Sequence, residues 1–487
     1  AAAGAGAIAM ALAFPKTNVA VLALLGAAGL FWAWYGLTPV RAFWVGWFAG
    51  TLFMTITCSW IAETAGHYIA PFGILLILLP SAAEGFATGI AGVLAALVLQ
   101  RAPRTLAPLG VAAAYTLCEY LRSVGPLGAP FSDLSYSQVT SPLGPLAAFI
   151  GPFGLTFVIC VIGAYLAFAL RSAPTRATGR VVLTAFGSVV VCTGIAWIFW
   201  PARTLATPTY PVVAAQGNIA QDIKWTQAAF DLSLDRYERL TERAASFEPA
   251  FVLWPETVVP TDLNTVPWLL HRLEHLAQST HTELIVGAKQ LRGGVEYNAL
   301  YFFRPDGTLD DIYRKRHLLP FAETLPAAGI LGHFPGADLV SRFGEGDTPG
   351  VVDVGGARVA PLICWESAFT DLALEGVHDG AQALVIATDD AWFGTTAGPY
   401  EHAQIAQMRA LESGIWVVRA GATGISGIIA PNGRYTVETN LGEMTIAQGD
   451  IGPPTGSLYA AIGSFPISFA LALLYGYLLL MPALRRQ

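Results

Sequence analysis

The sequence predicts a polytopic α-helical membrane domain joined to an α/β domain that lies in water. Hydrophobic residues make up 54% of the 487 positions and charged residues only 13%, against roughly 25% charged in ordinary soluble proteins. The charged residues are unevenly placed, with 12 in residues 1–200 and 47 in residues 201–457. We therefore expect membrane helices in 1–200, a water-facing domain in 201–457, and a last membrane helix with its tail in 458–487.

The membrane part is defined by apolar stretches that reach the length of a spanning helix, about 20 residues. Such stretches are 18–37, 42–64, 70–99, 105–123, 147–170, 180–200 and 459–482. Residues 1–14 are apolar but shorter, and they end at Pro15-Lys16 as the end of one more span. The sequence therefore predicts about eight spans.

Arginines mark alternate short loops between these stretches. One side of the membrane carries Arg41, Arg101, Arg104, Arg171, Arg176 and Arg180, together with Arg485 and Arg486 in the tail. The short loops on the opposite side carry only Lys16 and Arg122. Because positive charge accumulates in cytoplasmic loops, the arginine-rich side is the cytoplasmic one. The domain in 201–457 then lies outside the cytoplasm.

Short apolar runs alternate with helical patterns in residues 201–457, which is typical of an α/β layered fold. The predicted strands are 211–216, 250–254, 283–288, 297–303, 358–363, 383–388 and 415–419, and the predicted helices are 226–246, 263–279 and 399–413. The turns Arg304-Pro305-Asp306-Gly307 and Pro431-Asn432-Gly433 predict hairpins. The result is a mixed sheet with helices outside it.

Composition excludes several function classes. The net charge is −7 without a basic block, so nucleic acid is not an expected partner. We find neither a glycine-rich phosphate loop nor metal-ligand spacing in the sequence, and we expect no cofactor. Four of the five cysteines lie inside apolar runs and are expected to be buried hydrophobic residues. Cys364 stands alone in the polar domain, where a lone thiol is either incidental or reactive.

Cys364 follows the predicted strand 358–363 directly, and a helix is expected after it. A strand-to-helix elbow exposes a nucleophile, and a helix N-terminus or a nearby lysine lowers the pKa of a thiol. The alternative is an incidental buried cysteine. A papain-like pairing with His402 is a second alternative, but no asparagine that would orient the histidine follows in a recognisable context.

Two further polar residues also follow apolar strands, at the edge where active sites of α/β sheets tend to lie. Glu256, in Leu253-Trp254-Pro255-Glu256, is a partly desolvated carboxylate suited to act as a general base, or else a capping or salt-bridging residue. Lys315 lies in the cation run Arg314-Lys315-Arg316, which is either a solvated face or contains one inward lysine that stabilises an oxyanion.

Glutamate, lysine and cysteine in this order resemble the nitrilase superfamily. The motifs are Trp-Pro-Glu at 254–256, Lys-x-x-x-x-Pro-Phe-x-Glu at 315–323, and Cys-x-Glu at 364–366. Within that superfamily the chain resembles the membrane-embedded branch, the apolipoprotein N-acyltransferases, over nearly its whole length. The segments that carry this narrower resemblance are 216–225, 390–394 and 408–414, together with Tyr136-Ser137-Gln138.

Some positions depart from the family pattern. The family often has asparagine where Asp389 stands, and Gly-Pro-Trp-Gln-His where this chain has 398–402. Ala422-Thr423-Gly424 replaces Asn-Asn-Gly, and Ala129-Pro130-Phe131 replaces Phe-Pro-Trp. None of these departures touches the three candidate catalytic residues.

The resemblance implies stacked α-β-β-α layers and a two-step acyl transfer in a bacterial inner membrane, with the catalytic domain on the periplasmic side. Glu256 would take the proton of Cys364, and Lys315 would stabilise the oxyanion. The expected donor is a phospholipid, with phosphatidylethanolamine as the specific expectation. The expected acceptor is the α-amino group of a diacylglyceryl-cysteine apolipoprotein. In supporting roles, Glu323 and Glu366 would orient the site, and Trp225 and Trp365 would line the pocket.

Two other functions stay open at this point. A membrane-tethered nitrilase-type amidase would use the same three residues to hydrolyse a small amide, although eight spans exceed what a tether requires. A non-catalytic receptor or transporter would use the domain only for binding, and would not need all three residues.

Overall fold

The computed structural model describes residues 1–62, 64, 73–200, 210–221, 223, 224, 226–326, 328–333, 340–347 and 350–484. The chain divides into two compact units. The helical unit consists of Ala1–Ala202, Thr395–Gln404 and Ser457–Gln487, and the layered unit consists of Arg203–Gly394 and Ile405–Gly456. The segment Thr395–Gln404 thus folds with the membrane helices, although the sequence assigns it to the water-facing domain.

Long apolar helices form the helical unit. Their bounds are α1 Ala2–Ala11, α2 Val21–Trp34, α3 Pro39–Thr57, α4 Gly73–Arg101, α5 Ala107–Ser123, α6 Ala147–Arg171 and α7 Arg176–Phe199, with α13 Leu458–Ile462 and α14 Ser464–Leu484 after the layered unit. Four stretches in the described residues are long and apolar enough to cross a membrane, namely Ile77–Arg101, Gly144–Arg171, Arg176–Phe199 and Ser464–Met481. The helices Ala2–Ala11 and Val21–Trp34 are apolar but shorter.

A buried polar network ties the loop after α5 to that helix. Arg122 donates to the carbonyl oxygens of Ala129, at 2.6 Å, and Phe131, at 3.2 Å, and it pairs with the carboxylate of Asp133. One carboxylate oxygen of Glu119 accepts the backbone N–H of Leu134 at 3.1 Å. These charged side chains therefore stabilise an irregular segment of the helical unit by pairing with each other and with backbone groups.

Two sheets form the centre of the layered unit. The strands are β1 Tyr210–Gln216, β2 Phe251–Leu253, β3 Val259–Asp262, β4 Glu283–Arg292, β5 Val295–Phe303, β6 Leu309–Arg314, β7 Val352–Val354, β8 Ala357–Ile363, β9 Ala383–Thr388, β10 Trp416–Gly421, β11 Gly427–Ile429, β12 Tyr435–Glu438 and β13 Thr445–Ile451. The first sheet has the order β13-β1-β2-β4-β5-β6, with β3 beside β4, and the second has the order β12-β11-β10-β9-β8-β7. Both sheets mix parallel and antiparallel pairs, which confirms the predicted mixed pairing.

The helices of this unit cover the outer faces of the sheets. They are α8 Gln227–Ala245, α9 Pro267–Thr280, α11 Thr370–His378 and α12 Gly398–Ser413, of which α12 enters the layered unit at Ile405. The short helix α10 Ala328–Leu331 also belongs to this unit. Their starts follow local rules, since the Thr226 hydroxyl accepts the N–H of Ala229 at 3.2 Å and α9 begins at a proline. The predicted helices are therefore present within a few residues of their expected bounds.

Alternation along the strands produces the layers. In β1, Val212 and Ala214 belong to the core between the two sheets, while Val213 and Ala215 face α8 and α9. The outer face of the second sheet is buried against α11 and α12. The order of layers is therefore helix, sheet, sheet, helix, and the polar ends of β2, β8 and β9 carry the candidate site.

Candidate active site

Glu256 is placed by a tight turn after β2. The turn packs against Gly287 in β4, where a Cβ atom would come within 2.0 Å of the Pro255 carbonyl oxygen. Only glycine leaves room for this approach. Glu256 is 7% exposed, and its Oε2 accepts the backbone N–H of Asp389 at 2.9 Å. A buried strand end on one sheet thus presents a carboxylate to the second sheet.

Asn298 joins two carboxylates and was not predicted from the sequence. Its amide nitrogen donates to Glu256 Oε1 at 2.7 Å and to Glu323 Oε1 at 3.1 Å. Its backbone carbonyl accepts the N–H of Lys315 at 2.8 Å. The sequence does not mark Asn298 as a site residue, because it lies inside an apolar run, 297–303, that indicates only a strand.

Lys315 points inward from the end of β6 and is 1% exposed. Its ammonium group lies 2.8 Å from Glu323 Oε2 and 3.5 Å from Glu256 Oε1. Burial alone would lower the pKa of Lys315, but Glu323, Glu256 and Cys364 outweigh burial and raise it. The lysine is therefore a fixed cation, and it is the one inward member of the cation run.

Glu323 fixes the lysine from a second turn. Besides its contacts to Lys315 and Asn298, its Oε2 accepts the backbone N–H of Leu319 at 2.8 Å. Phe321 in this turn has a φ of 64° and its side chain is 61% exposed. Glu323 therefore lies directly against the lysine, and its orienting role stays a prediction.

Cys364 follows β8 directly and takes a left-handed φ of 51°. The expected elbow is present, but the segment Cys364–Ala368 is a short 3-10 helix and the α-helix begins only at Thr370. The α-helix start that was expected to lower the thiol pKa is therefore displaced from the sulfur. The side chain is partly exposed and packs against the core between the sheets.

The electrostatics of the thiol differ from the sequence expectation. Burial raises the pKa of Cys364 well above its usual value, and the carboxylate of Glu256 raises it further. Lys315 and a hydrogen bond with Thr388 act in the opposite direction. Because burial and Glu256 outweigh the groups that lower the pKa, Cys364 is a protonated thiol in this site, and the Glu256 carboxylate is near it. This arrangement needs a general base, and it does not need a permanent thiolate.

Glu366 connects the cysteine turn to the lysine segment. It is fully buried, and its Oε2 accepts the N–H of Ile363 at 2.7 Å. Its Oε1 accepts the N–H groups of Arg316 at 2.7 Å and His317 at 3.1 Å, and the Tyr313 hydroxyl donates to the same carboxylate. Burial raises the pKa of Glu366, while these N–H groups and Lys315 lower it. The Glu366 carboxylate thus fixes the segment that carries Cys364 relative to the segment that carries Lys315.

Two acidic residues after β9, Asp389 and Asp390, form buried ion pairs beside the site. The Asp389 side chain lies 2.5 Å from the Lys224 ammonium, and both side chains are more than nine-tenths buried. Asp390 pairs with Arg419 at 2.6 Å, and neither side chain is exposed. Gly424 is required beside this pair, because a Cβ atom there would lie 2.2 Å from Asp390 Oδ2. Asp389 was noted in the sequence only as a departure from the family.

The proposed pocket residues are placed only in part. Trp365 is partly exposed, and its ring lies 5.7 Å from that of Phe369. The Phe369 ring also lies 3.9 Å from that of His317, tilted by 39°. Trp225 lies outside the described residues. His402, the alternative partner for the cysteine, belongs to the helical unit, where its ring lies 5.9 Å from that of Phe131. The roles of both tryptophans stay predictions.

Comparison with known proteins finds relatives over both parts of the chain. Residues 212–460 match the carbon-nitrogen hydrolase family, and residues 6–165 match the N-terminal domain of apolipoprotein N-acyltransferase. An apolipoprotein N-acyltransferase of Pseudomonas putida is 31% identical over 484 residues, covering 96% of this chain and 94% of the relative. One of Pseudomonas aeruginosa is 32% identical over 487 residues, covering 96% and 92%.

Solved structures are also similar to part of the chain. The crystal structure of Saccharomyces cerevisiae Nit3, a member of branch 10 of the nitrilase superfamily, has 20% sequence identity and a TM-score of 0.41. The match covers 51% of this chain and 92% of that one.

The layered unit, with its carboxylate, lysine and cysteine at the strand ends, is of the carbon-nitrogen hydrolase class. The apolar helices in front of it and the relatives that match along the whole length narrow the class further. The chain belongs to the apolipoprotein N-acyltransferase family. The resemblance drawn from the sequence motifs is thereby confirmed at the level of the family.

Proposed function

We propose that this membrane protein transfers a fatty acyl chain from a phospholipid to the α-amino group of a diacylglyceryl-cysteine apolipoprotein. The observation that carries the proposal is the buried cluster in which Glu256 lies 3.5 Å from Lys315 and both act electrostatically on Cys364. Family membership supports the lipoprotein as the acceptor. The apolar helices support a lipid donor, because both substrates are then held at a bilayer.

In the first step Glu256 takes the proton of the Cys364 thiol, and the sulfur attacks the ester carbonyl carbon of the phospholipid. The negative charge that develops on the carbonyl oxygen is stabilised by Lys315, a cation that its carboxylate neighbours keep protonated. The ester C–O bond then breaks, and Glu256 returns the proton to the leaving lysophospholipid oxygen. The acyl chain remains on Cys364 as a thioester.

In the second step the neutral amine of the acceptor attacks the thioester carbonyl. Glu256 takes a proton from the attacking nitrogen, the C–S bond breaks, and the cysteine sulfur recovers a proton as the amide forms. The Asn298 amide and the Asp389 backbone N–H hold one oxygen each of Glu256. They therefore keep the base in one orientation through both steps, and the supporting roles of Glu323 and Glu366 belong to the same proposal.

We also propose phosphatidylethanolamine as the donor, and eight spans that place the layered unit on the periplasmic side of a bacterial inner membrane. The four long apolar helices and the two shorter ones support a multi-span arrangement. The arginine-rich loops Arg101–Arg104 and Arg171–Arg180 support the orientation.

A phosphatidylethanolamine with a fluorescent acyl chain tests the proposal on the purified full-length protein. We expect a hydroxylamine-sensitive fluorescent adduct on the peptide that contains Cys364, and transfer of the label to a diacylglyceryl-cysteine peptide. Cys364→Ala should form no adduct, while Cys192→Ala, which removes an exposed cysteine of α7, should behave as the wild type. Turnover of small amides without any adduct would instead identify a hydrolase and overturn the proposal.

A further inference from the structure

Three neighbouring strands of the second sheet bring Cys364 beside a buried threonine. The register of β8 and β9 pairs Ile363 with Ala387. Cys364 follows Ile363 directly and Thr388 is the last residue of β9, so the two residues lie side by side. The register of β9 and β10 pairs Ala387 with Ala420, next to Arg419. This arrangement is set by strand pairing and not by a flexible loop.

A chain of side-chain hydrogen bonds runs from the sulfur into the core. Thr388 is fully buried and hydrogen-bonded to the Cys364 thiol. The Thr388 hydroxyl also donates to Asp390 Oδ1 at 3.0 Å, and the other oxygen of Asp390 accepts from Arg419 at 2.6 Å. Arg419 further donates to the carbonyl oxygen of Ile425. The chain therefore ends on a cation whose own charge is paired.

We propose that Thr388 is a positioning residue for the nucleophile, holding the Cys364 sulfur in place and donating its hydroxyl hydrogen to the sulfur once the thiol has lost its proton. The proposal rests on the proposed function, in which Cys364 is the nucleophile. It adds a hydroxyl to the carboxylate, lysine and cysteine that the sequence motifs indicate.

The Thr388 hydroxyl can adapt to both the protonated and the deprotonated form of Cys364. A threonine hydroxyl has one hydrogen and two lone pairs, and the hydrogen rotates to suit its neighbours. While the thiol is protonated, the hydroxyl donates its hydrogen to Asp390. After Glu256 has taken the proton, the hydroxyl can turn to the sulfur, because Arg419 still neutralises Asp390. A hydrogen bond to the charged form lowers the pKa of the thiol.

The other charged groups around the sulfur come from separate elements. Glu256, after β2, and Asp390, after β9, oppose the thiolate, while Lys315, after β6, favours it. Arg419 on β10 also interacts with the cysteine electrostatically. A substitution at Thr388 changes none of these charges, so its effect on the thiol reports the hydroxyl alone.

The rate of Cys364 alkylation by iodoacetamide between pH 6 and pH 11, followed on its own peptide by mass spectrometry, tests the inference. The alkylation rate rises with pH as the thiolate forms. Thr388→Val keeps the shape and removes the hydroxyl, so the profile should move to higher pH, with alkylation at pH 8 falling about tenfold, which corresponds to roughly one pKa unit. Thr388→Ser should restore the wild-type profile.

Thr436→Val is the matched control, since the Thr436 hydroxyl is hydrogen-bonded to Ile428 on the same sheet, at its edge. Its profile should equal the wild type. Should Thr388→Val fail to fold, Thr388→Ala gives the same test with a smaller side chain. A Thr388→Val or Thr388→Ala profile that superimposes on the wild type would overturn the inference. A wild type that forms no acyl adduct would overturn the proposed function, while the alkylation profiles would still decide the role of Thr388.

Discussion

At the scale of single residues, only one of three consecutive cations, Lys315, is buried in the candidate site. Arg314 and Arg316 flank Lys315 in the sequence but reach Gln290 and Glu375, at 2.5 Å and 2.8 Å. Lys315 alone points between Glu256 and Glu323. Alternation along an extended strand places neighbours on opposite sides, so one inward position among three is the natural outcome. A buried ammonium is then retained only because carboxylates surround it.

The buried pair of Lys224 and Asp389 carries the first prediction at this scale. Removing one partner of a buried ion pair leaves an uncompensated charge and costs about 3–5 kcal/mol. Lys224→Met should therefore destabilise the protein by about 3 kcal/mol and disturb the Asp389 N–H that binds Glu256. The double variant Lys224→Met/Asp389→Asn removes both charges and keeps that N–H, so it should recover most of the stability and of the acyl-enzyme yield.

Thermal unfolding in detergent and the yield of the fluorescent thioester measure this cycle. Lys289→Met is the control, because its partner Glu296 is 53% exposed and a surface pair contributes roughly 1 kcal/mol or less. If the stability losses of Lys224→Met and Asp389→Asn simply add in the double variant, the two side chains are not coupled.

The sequence predicted Glu256, Lys315 and Cys364 because each follows an apolar strand in a recognisable motif. It could not predict Asn298 or Thr388, which lie inside strands and reach the site through pairing with neighbours. Nor could it predict the raised pKa of Cys364, since that depends on how deeply the thiol is buried. Local patterns thus locate strand ends, while the contacts across strands appear only in the fold.

At the scale of elements, the functional groups depend on the close packing of turns against strands. The turn after β2 reaches the second sheet because β4 has no side chain at Gly287. The elbow after β8 is closed by Glu366, which accepts the N–H of Ile363 and of two residues after β6. Each turn is therefore fixed by a neighbour from another strand, which keeps base, cation and nucleophile in one geometry.

Gly287→Ala carries the prediction for this scale. A Cβ atom at Gly287 would approach the Pro255 carbonyl oxygen to 2.0 Å and the Glu256 Cα to 2.9 Å, so the turn must move. We expect a loss of about 1–3 kcal/mol of stability, as for other overpacked sites. Displacing the base should also slow thioester formation by about ten- to a hundredfold, because small shifts of catalytic groups are costly.

Single-turnover thioester formation and thermal unfolding are the measurements. Gly350→Ala is the matched control, because a Cβ atom there would meet only Tyr313, at an ordinary distance of 3.6 Å. Gly350→Ala should have a thioester-formation rate and an unfolding temperature near those of the wild type. Wild-type acylation in Gly287→Ala would mean that the turn does not need its present position.

At the scale of the whole molecule, the chain combines an apolar helical unit with a layered unit in which the proposed chemistry is concentrated. The helical bounds follow the apolar stretches of the sequence closely, because hydrophobic length alone defines a spanning helix. The hydrogen bonds that join the loop after α5 to Arg122 and Glu119 could not be predicted from the sequence, since they depend on tertiary contacts. The number of spans and the orientation stay predictions from hydrophobic length and loop charge, and they can be tested directly.

Cysteine labelling in spheroplasts tests this topology, in a background with Cys192→Ser and Cys364→Ala. Ala173, between α6 and α7, is an exposed position in the arginine-rich loop, and Ala173→Cys should react with a membrane-impermeant maleimide only after lysis. Thr17→Cys, between α1 and α2, and Ser246→Cys, after α8, are also exposed positions and should react in intact spheroplasts. Labelling of Ala173→Cys from outside, or protection of Ser246→Cys, would reverse the orientation and remove the periplasmic site.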